Sequence, residues 1–471
     1  MFKSAFWSAG EARYDVTKLK RLYVGAVVDH NHVSVAKGPA RWWHVAKISP
    51  VHGFGFGRAS TPGVIRVTLE VLGGSVGIVL WEKGKGEKEV DTANLQAAPG
   101  PKTIQLITPD LQLAGALIFR NDGADGAPID FLVHSIECVP IGLSDVVDDK
   151  QTLHAFYDLS IYPHTYDFAF FTMAAEIARL KAGLKTVHVH IVRPGSKEVD
   201  RLPEGFHSAI DNEAREWRIY NILIPILTFF PTVRGYSVLP DAATAYAMRQ
   251  YLTNLYPREL VPAAGAPIHI PYREVNATLQ LHPGALRPRA DPEGLRYIEQ
   301  WLAPRARGRK PIVITLRQYE FLPARNSNVE AWLTFAGELD KDEYFPIIVP
   351  DTATALNLPP KEYRDITVCP EAAVHLPLRM ALYESAFMNM ATTGGPPMLL
   401  VLSHRCPFLY FKHLVSGVRL CSAEHLTDVG FKVGYDLPYL RANQHYVWED
   451  DDLPVIRREF AAMLRRIKAT T

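Results

Sequence analysis

Short apolar runs alternate with amphipathic segments in the last third of the chain. Apolar runs cover residues 311–316 and 344–349, with an amphipathic segment at 329–339 between them. This spacing predicts a strand, a helix and a second strand. The pattern at 376–390 predicts a further helix, and the apolar run at 398–402 predicts a third strand. Such alternation is typical of a parallel sheet covered by helices.

The first part of the chain has a different period. Residues 64–71 alternate apolar and polar side chains, as a strand with one buried face does. Glycine, proline and Asn-Asp-Gly turn signals separate this segment from other short runs, at 76–81, 102–107, 116–120 and 131–139. Short strands at this spacing predict an all-β sandwich.

The middle of the chain returns to α/β alternation. Its patterns predict strands at 186–192 and 235–239 and helices at 167–182, 212–230 and 242–255. The length of 471 residues accommodates two to four domains at about 150 residues each. The predicted fold is therefore multidomain: an N-terminal β-sandwich followed by two Rossmann-like α/β halves, with bounds at 1–145, 150–285 and 286–471.

The composition narrows the classes of partner. The chain has 51 basic and 50 acidic residues, a formal net charge of +1. It therefore lacks the surplus of basic residues that would indicate a nucleic-acid partner. Four widely spaced cysteines form no Cys-x-x-Cys pair, which favours a reducing, cytoplasmic compartment, and no signal-peptide pattern is visible. The apolar stretch 219–231 is shorter than a membrane span of about 20 residues. Burial in the core and peripheral contact with the inner face of a membrane both remain open for it, and no pattern indicates an oligomeric state.

Two arginines follow the first apolar run of the last third. Arg317 closes the run, and Arg325 lies in a polar loop beside Asn326. Arginine at the carboxyl end of a parallel strand faces the ligand crevice, and its planar guanidinium matches a phosphate with two hydrogen bonds. These residues are predicted to bind a diphosphate. The alternative is that they hold the loop in place through ion pairs.

A Thr-Thr-Gly-Gly segment is the second candidate phosphate site. Its backbone N–H groups and hydroxyls could cradle phosphate oxygens, although the spacing is neither GxGxxG nor that of a P-loop. Termination of the preceding helix is the alternative. Asp351, which follows the second strand, and its rivals Glu371 and Glu384 are candidates for a ribose hydroxyl. The segment itself comprises Thr392, Thr393, Gly394 and Gly395.

The middle segment supplies candidates for an acceptor side. His207 and Asp211 are four residues apart and share one face if this stretch is helical, so either could serve as a general base for an acceptor hydroxyl. Arg218 and Asn221 border the very apolar stretch, where polar groups need partners or a ligand.

No metal site or other cofactor is predicted. His188 and His190 point to one side of a strand, but no third ligand lies nearby in the sequence, so ordinary packing is the favoured interpretation. The acidic run 450–452 is interpreted as the start of the last helix, where negative charge is stabilising. In the predicted sandwich, Trp42, Trp43 and the phenylalanines of 52–57 could stack on sugar rings, and core packing of these rings is the alternative.

The layout of two unequal α/β halves resembles the GT-B type of glycosyltransferase. The apolar strand 312–317, which ends in arginine, and the strand 347–351, which ends in aspartate, are similar to the fucosyltransferase-like branch of that group. Thr315 stands where that branch has a histidine two residues before the arginine. The resemblance covers about residues 155–470.

The resemblance implies a nucleotide-sugar donor and a glycan or other hydroxyl acceptor, with no metal. Positive side chains and a helix N-terminus would stabilise the departing nucleoside diphosphate. The middle half would be the acceptor side, with Arg218 and Asn221, and the sandwich would be an accessory domain. The donor site would comprise Arg317, Arg325, Asn326, Asp351, Glu384, Thr392, Thr393, Gly394 and Gly395.

Two other functions remain open at the level of the sequence. The same architecture could carry a sugar-nucleotide epimerase or hydrolase. It could also belong to a glycan-binding or scaffold protein without catalysis, because no unmistakable motif for a base and a phosphate site is present.

Overall fold

The computed structural model describes residues 14–50, 63–83, 89–108, 110–140, 149–194, 210–258, 270–356 and 366–470. The base candidate His207 and the aromatic segment 52–57 lie outside the described residues. Within the described stretches the strands form four sheets, two of them antiparallel in the first part of the chain and two parallel after it. The predicted change from an antiparallel β region to parallel α/β sheets is therefore confirmed.

Ten strands of the described residues build the antiparallel region: β1 Lys20–Arg21, β2 Val27–Asp29, β3 His32–Val35, β4 His44–Ile48, β5 Gly63–Gly73, β6 Ser75–Glu82, β7 Glu89–Gln96, β8 Lys102–Thr108, β9 Ala114–Asn121 and β10 Ile129–Pro140. One sheet has the order β1-β4-β9-β6-β7 and the other β2-β3-β10-β5-β8. Alternate side chains of both sheets, such as Leu69 of β5 and Phe119 of β9, enter one shared core. This face-to-face packing explains the period of two in the sequence.

The middle sheet is parallel, with strands β11 Thr152–Asp158, β12 Thr186–Val192, β13 Val233–Leu239 and β14 Leu255–Tyr256 in the order β13-β12-β11-β14. Its region also contains the helices α1 Phe168–Lys181, α2 Asn212–Arg218, α3 Ile224–Thr228, α4 Ala242–Arg249 and α5 Tyr272–Thr278. The sequence did not reveal β11. Every residue of this central strand is buried, so it shows no polar alternation.

In the part of the chain that the structure describes, the last sheet has six parallel strands: β15 Lys310–Thr315, β16 Tyr344–Val349, β17 Thr367–Val368, β18 Met388–Thr392, β19 Phe408–Phe411 and β20 Gln444–Tyr446. Their order is β17-β16-β15-β18-β19-β20. The helices are α6 Pro292–Ala306, α7 Val329–Glu338, α8 Glu371–Val374, α9 Leu376–Ser385, α10 Met398–Leu402, α11 Ala423–Asp428 and α12 Leu453–Thr470.

Three predicted elements differ from the structure. The helix predicted at 376–390 ends at Ser385, and its last residues belong to the buried strand β18. The run 398–402, predicted as a strand, is the helix α10, which starts after two prolines that suit a first helical turn. The helix predicted at 242–255 ends at Arg249, before β14. Short buried apolar runs do not distinguish helix from strand, which explains the first two errors.

One continuous apolar core joins the two parallel sheets. It contains Tyr157 and Val189 from the middle sheet and Val313 and Ile347 from the last one. The antiparallel region meets the middle sheet through a smaller contact, in which Val64 and Ile107 pack with Ala243 of α4 and its neighbours. The domain bounds given above remain a prediction.

The apolar stretch 219–231 continues α2 through a π-helical turn, Ile219–Leu223, into α3. Its apolar side chains pack in the shared core, with Ile219, Leu223, Ile226 and Leu227 all buried. Across the described stretches, no helix combines the length and the apolarity needed to cross a membrane.

A buried ion pair ties α1 to its surroundings. The Glu176 carboxylate, 1% exposed, accepts two hydrogen bonds from Arg179, each 2.8 Å long. It also accepts the Thr232 hydroxyl (2.5 Å) and the backbone N–H of Leu286 (2.9 Å). One carboxylate thus joins a helix, the start of β13 and the segment that leads to the last sheet.

We expect Glu176→Ala to lower the free energy of unfolding by about 3–5 kcal/mol, because Arg179 would remain buried without its counter-charge. Urea denaturation followed by circular dichroism measures this change. Glu213→Ala, in the exposed first turn of α2, is the matched control and should change stability by about 0.5 kcal/mol or less. Equal losses of stability in the two variants would contradict the conclusion that the Glu176 carboxylate holds these three segments together.

Candidate functional site

A cavity of about 1320 Å³ lies between the carboxyl ends of the two parallel sheets. On one wall are Arg317 after β15, Asp351 after β16 and the Thr-Thr-Gly-Gly turn after β18. The opposite wall consists of the loop after β11 and the end of α2. Both sheets therefore present the edge at which parallel sheets bind ligands.

Most of the residues singled out in the sequence line this one cavity. Asp211, Asn326 and Glu384 are not among the lining residues, and His207 lies outside the described part of the chain. Those that the fold brings together are Arg218, Asn221, Arg317, Arg325, Asp351, Thr392, Thr393, Gly394 and Gly395.

Arg317 organises the loop that follows β15. Its guanidinium donates to the carbonyl oxygens of Phe321 and Leu322 (3.2 Å for Leu322) and to Oδ1 of Asn326. Asn326 also accepts from and donates to the backbone of Tyr319, at 3.1 Å each. Burial, followed by the neighbouring charge of Arg325, lowers the pKa of Arg317 to about 10, so it stays positive at pH 7. Arg317 thus holds the loop, as the alternative from the sequence supposed, but through carbonyl oxygens rather than ion pairs.

A buried aspartate anchors the same loop from the other side. Asp451, 1% exposed, accepts the backbone N–H of Asn328 and the indole N–H of Trp332, both at 2.7 Å. Lys412 lies 3.5 Å from this carboxylate and donates to the carbonyl oxygen of Asn326 (3.0 Å). The acidic run before the last helix therefore does more than begin that helix.

Arg325 lines the cavity with a guanidinium that makes few contacts to the described residues. Its single side-chain hydrogen bond to a described residue, from Nη2 to the Thr393 hydroxyl, is long at 3.5 Å. Its Nε is buried without a hydrogen-bond partner. A guanidinium in this situation is available to an anionic ligand.

The Thr-Thr-Gly-Gly turn connects β18 to α10, and thus runs from strand to helix rather than from helix to strand. The Tyr410 hydroxyl donates to the Gly394 carbonyl oxygen and accepts from its N–H, at 3.0 Å each. The Thr392 hydroxyl pairs with that of Ser327 (2.8 Å). Gly395 packs against the ring of Tyr166 from the opposite wall, where a methyl group at Gly395 would lie 2.4 Å from Cδ2 of the ring.

Asp167, which the sequence analysis did not select, places a carboxylate in the cavity. It accepts hydrogen bonds from the Thr165 hydroxyl (2.5 Å) and from the Tyr272 hydroxyl. Burial and this carboxylate raise the pKa of Tyr272 well above its ordinary value, which keeps the phenol protonated as a donor. Asp167 makes no side-chain bond to the helix it precedes. Recognition of β11 would have placed Asp167 in the loop that follows the carboxyl end of a strand.

Three of the acidic residues selected in the sequence, Asp351, Glu384 and Asp211, have different roles in the structure. Asp351 lines the cavity and accepts the backbone N–H groups of Gln318 and Ala353, at 3.1 Å each. Glu384 binds the N–H of Ala290 (2.8 Å) and lies 3.7 Å from Arg405, so it anchors the segment before α6. Asp211 is exposed and caps α2 by accepting from the Ala214 N–H (2.8 Å).

One end of the cavity is aromatic. His413, 8% exposed, is surrounded by the rings of Tyr410, Phe431, Tyr446 and Trp448 at centroid distances of 4.7–5.6 Å. Both of its ring nitrogens are buried without a partner. Burial, together with the charge of Arg325, lowers the pKa of His413 to about 3. The imidazole is therefore neutral at pH 7 and adds no charge to the cavity.

His188 and His190 stack with His154 on one face of the middle sheet, at centroid distances of 4.6–5.8 Å. His188 pairs with the Ser237 hydroxyl (2.9 Å), and His154 with His190 (3.1 Å). Nowhere in the described residues do three or more His, Cys, Asp or Glu side chains form a group that could hold a metal ion.

The cavity has a marked excess of positive charge. Its described lining includes six arginines (Arg218, Arg273, Arg317, Arg325, Arg379 and Arg419) and three aspartates (Asp167, Asp351 and Asp428). No carboxylate of a described residue lies within 4.0 Å of the nitrogens of these arginines. A cleft lined by one sign of charge concentrates ligands of the opposite sign.

Comparison with known proteins assigns no family. No family model matches the sequence, and no curated protein matches it. Among solved structures, a family 9 glycosyl transferase from Veillonella parvula aligns over 66% of this chain and 90% of its own, with 11% identity and a TM-score of 0.37. The ADP-heptose heptosyltransferase II of E. coli aligns over 68% and 99%, with 10% identity and a TM-score of 0.38. A CBM4 structure aligns over 27% and 80%, with 7% identity and a TM-score of 0.20. These TM-scores are below 0.5, so the function must be argued from the site.

Gly395→Ala should destabilise the protein by about 1–3 kcal/mol, because the new methyl group would overlap the Tyr166 ring and push the two walls apart. Gly394→Ala is the matched control, because the nearest atom to its methyl group would lie 3.6 Å away, an ordinary contact. Thermal unfolding of both variants measures the difference. Equal midpoints would show that the Gly395–Tyr166 contact does not hold the walls together.

Proposed function

We propose that the protein is a glycosyltransferase that moves a sugar from a nucleotide-sugar donor to a hydroxyl group of a glycan acceptor. One observation carries this proposal: an arginine-rich cavity lies where the carboxyl ends of two parallel sheets face each other. Parallel sheets bind nucleotides at this edge, and an excess of guanidinium groups suits a diphosphate. The arrangement of the two halves would be that of the GT-B type.

The donor diphosphate would lie on the wall formed by the last sheet. Arg325 would contact it directly, since its guanidinium has few other contacts. The Thr393 hydroxyl and the Gly395 backbone would supply further donors at the turn after β18. Arg317 contributes charge and holds the loop that carries Arg325. Asp351 would take a ribose hydroxyl.

The same arginines would assist departure of the leaving group. As the bond between the sugar and the diphosphate breaks, negative charge develops on the diphosphate oxygens. Fixed guanidinium groups in a partly buried site stabilise that charge without reorganisation of water. The proposal therefore needs no metal ion or other cofactor.

Asp167 is the proposed general base. It lies on the wall opposite the donor arginines, and the hydroxyls of Thr165 and Tyr272 orient its carboxylate. The acceptor hydroxyl would lose its proton to Asp167 while its oxygen attacks the anomeric carbon. Among the described candidates the base would be Asp167 rather than Asp211, because Asp211 is exposed and occupied as a helix cap.

The arginines also argue against a scaffold without a ligand. Six guanidinium groups around one cavity repel one another, and the three aspartates of the lining compensate only part of that charge. An anionic ligand offsets this cost. The antiparallel region would be an accessory domain, and a cytoplasmic location belongs to the same proposal.

A nucleoside diphosphate should stabilise the protein. At about 100 times the dissociation constant, binding adds about 2.7 kcal/mol to the free energy of unfolding. We expect Arg325→Ala to weaken binding about 10- to 100-fold, because it removes a charged hydrogen-bond donor. Thermal shift and calorimetry with a panel of nucleoside diphosphates measure both effects.

Arg296→Ala is the control for this experiment. Arg296 is 66% exposed on α6, and the Arg296→Ala variant should bind nucleotide like the wild type. If no nucleotide of the panel binds or stabilises the protein, the proposed function is contradicted and a scaffold is favoured.

Asp167→Asn should lower the rate of sugar transfer about 10²- to 10⁴-fold while donor affinity is kept, because asparagine cannot accept the proton. Release of nucleoside diphosphate from a nucleotide-sugar, with a glycan or water as acceptor, is the measurement. Asp211→Asn is the control, since asparagine caps a helix as well as aspartate does. Similar rates for Asp167→Asn and the wild type would eliminate Asp167 as the base. Conversion of the donor sugar without transfer would instead indicate an epimerase.

A further inference from the structure

The wall opposite the donor arginines has cations of its own. Arg218, at the end of α2, and Arg273, in the first turn of α5, both line the cavity from this side. A nucleotide-sugar carries two negative charges on its diphosphate, and Arg317 and Arg325 on the other wall match them. The second pair of cations therefore lies where the proposed function places the acceptor.

Arg218 makes little use of its charge within the protein. One N–H donates to the carbonyl oxygen of His164 (3.2 Å), and no described carboxylate lies within 4.0 Å of it. His164 itself is buried, and burial together with Arg215 and Arg218 lowers its pKa to about 4, so it is neutral at pH 7. The half-buried guanidinium thus has one neutral acceptor among the described residues, and it lines the cavity.

The backbone next to Arg218 is unusual and shapes this wall. The π-helical turn Ile219–Leu223 precedes Pro225, which has no N–H to donate to the preceding turn. The wider turn presents Asn221 to the cavity beside Arg218, and π-helical turns are frequent at functional sites.

The groups around Arg218 suit a sugar ring. The Asn221 side-chain N–H donates to the Trp217 carbonyl oxygen (2.8 Å). This hydrogen bond directs the amide oxygen of Asn221 away from the helix. The Trp217 indole lines the same part of the cavity and is 43% exposed, so its face is available to an apolar sugar face. A cation, an amide oxygen and an aromatic ring occur together within about one turn of helix.

We propose that the acceptor is an acidic glycan, whose carboxylate or phosphate group binds Arg218 while its sugar ring contacts Asn221 and Trp217. This inference rests on the proposed function, because it assigns this wall to the acceptor. The negative group of the acceptor would be held on the same wall as Asp167, close to the hydroxyl that reacts. Arg273, an exposed residue of the cavity lining, would attract acidic chains from solution.

A glycan array with neutral, uronate-containing and phosphorylated oligosaccharides tests the inference, with the donor site filled by a nucleoside diphosphate. We expect the wild-type protein to bind acidic glycans and not their neutral counterparts, with binding that weakens as salt is raised. The uronate and phosphate members show which acidic group is recognised. Arg218→Gln should weaken this binding about 10- to 100-fold and leave nucleoside diphosphate affinity unchanged.

Arg234→Gln is the matched control, because Arg234 is exposed on the same half and is not among the cavity-lining residues. It should bind acidic glycans like the wild type. Binding of neutral glycans alone, or of no glycan, would overturn the inference. So would an Arg218→Gln variant that loses nucleotide affinity, since Arg218 would then belong to the donor site. A wild-type protein that binds acidic glycans but no nucleotide would instead refute the glycosyltransferase function.

Discussion

The hydrogen bonds from Arg317 to the loop after β15 are the interaction on which the candidate site depends. The guanidinium binds two backbone carbonyl oxygens and the Asn326 side chain, which fixes a loop that has little regular structure. Asp451 and Lys412 hold the far end of the same loop. Arg325 lies between these two anchors. The anchored loop therefore holds its guanidinium at the cavity without an ion pair to Arg325 itself. An arginine can thus serve a ligand site without touching the ligand.

Charge is the second constraint on the cavity. Its arginines lack carboxylate partners among the described residues, and the buried His413 is neutral at pH 7 because of its lowered pKa. The positive potential therefore comes from guanidinium groups, which stay charged at all physiological pH values. Placement of Arg325 on one wall and Arg218 on the other divides this potential in two. The cation on the Arg325 wall suits the proposed donor diphosphate, and the cation on the Arg218 wall suits the proposed acidic acceptor.

The parts of the site that follow strands with clear boundaries could be predicted. Arg317 and Asp351 each end an apolar run, and parallel strands place such residues at one edge of a sheet. Asp167 could not be found in this way, because β11 is buried along its whole length and has no alternating pattern. Glu384 was placed with the donor residues because the helix carrying it leads towards the glycine turn. The side chain points instead to Ala290 and Arg405, and a helical pattern alone does not show which neighbour a face will meet.

The order of the layers can be recognised in the sequence: period-two alternation for the antiparallel region, then apolar runs between helices for the parallel sheets. These patterns are local, since each residue's polarity reports whether its own position faces the core. Long-range packing turns the carboxyl ends of two separate sheets towards each other, with Arg218 and Arg325 across one cavity and Asp167 in the same lining. Residues on opposite walls, such as Arg218 and Arg325, are more than a hundred positions apart in the sequence, and side-chain packing between the two sheets, which no short segment encodes, brings them together.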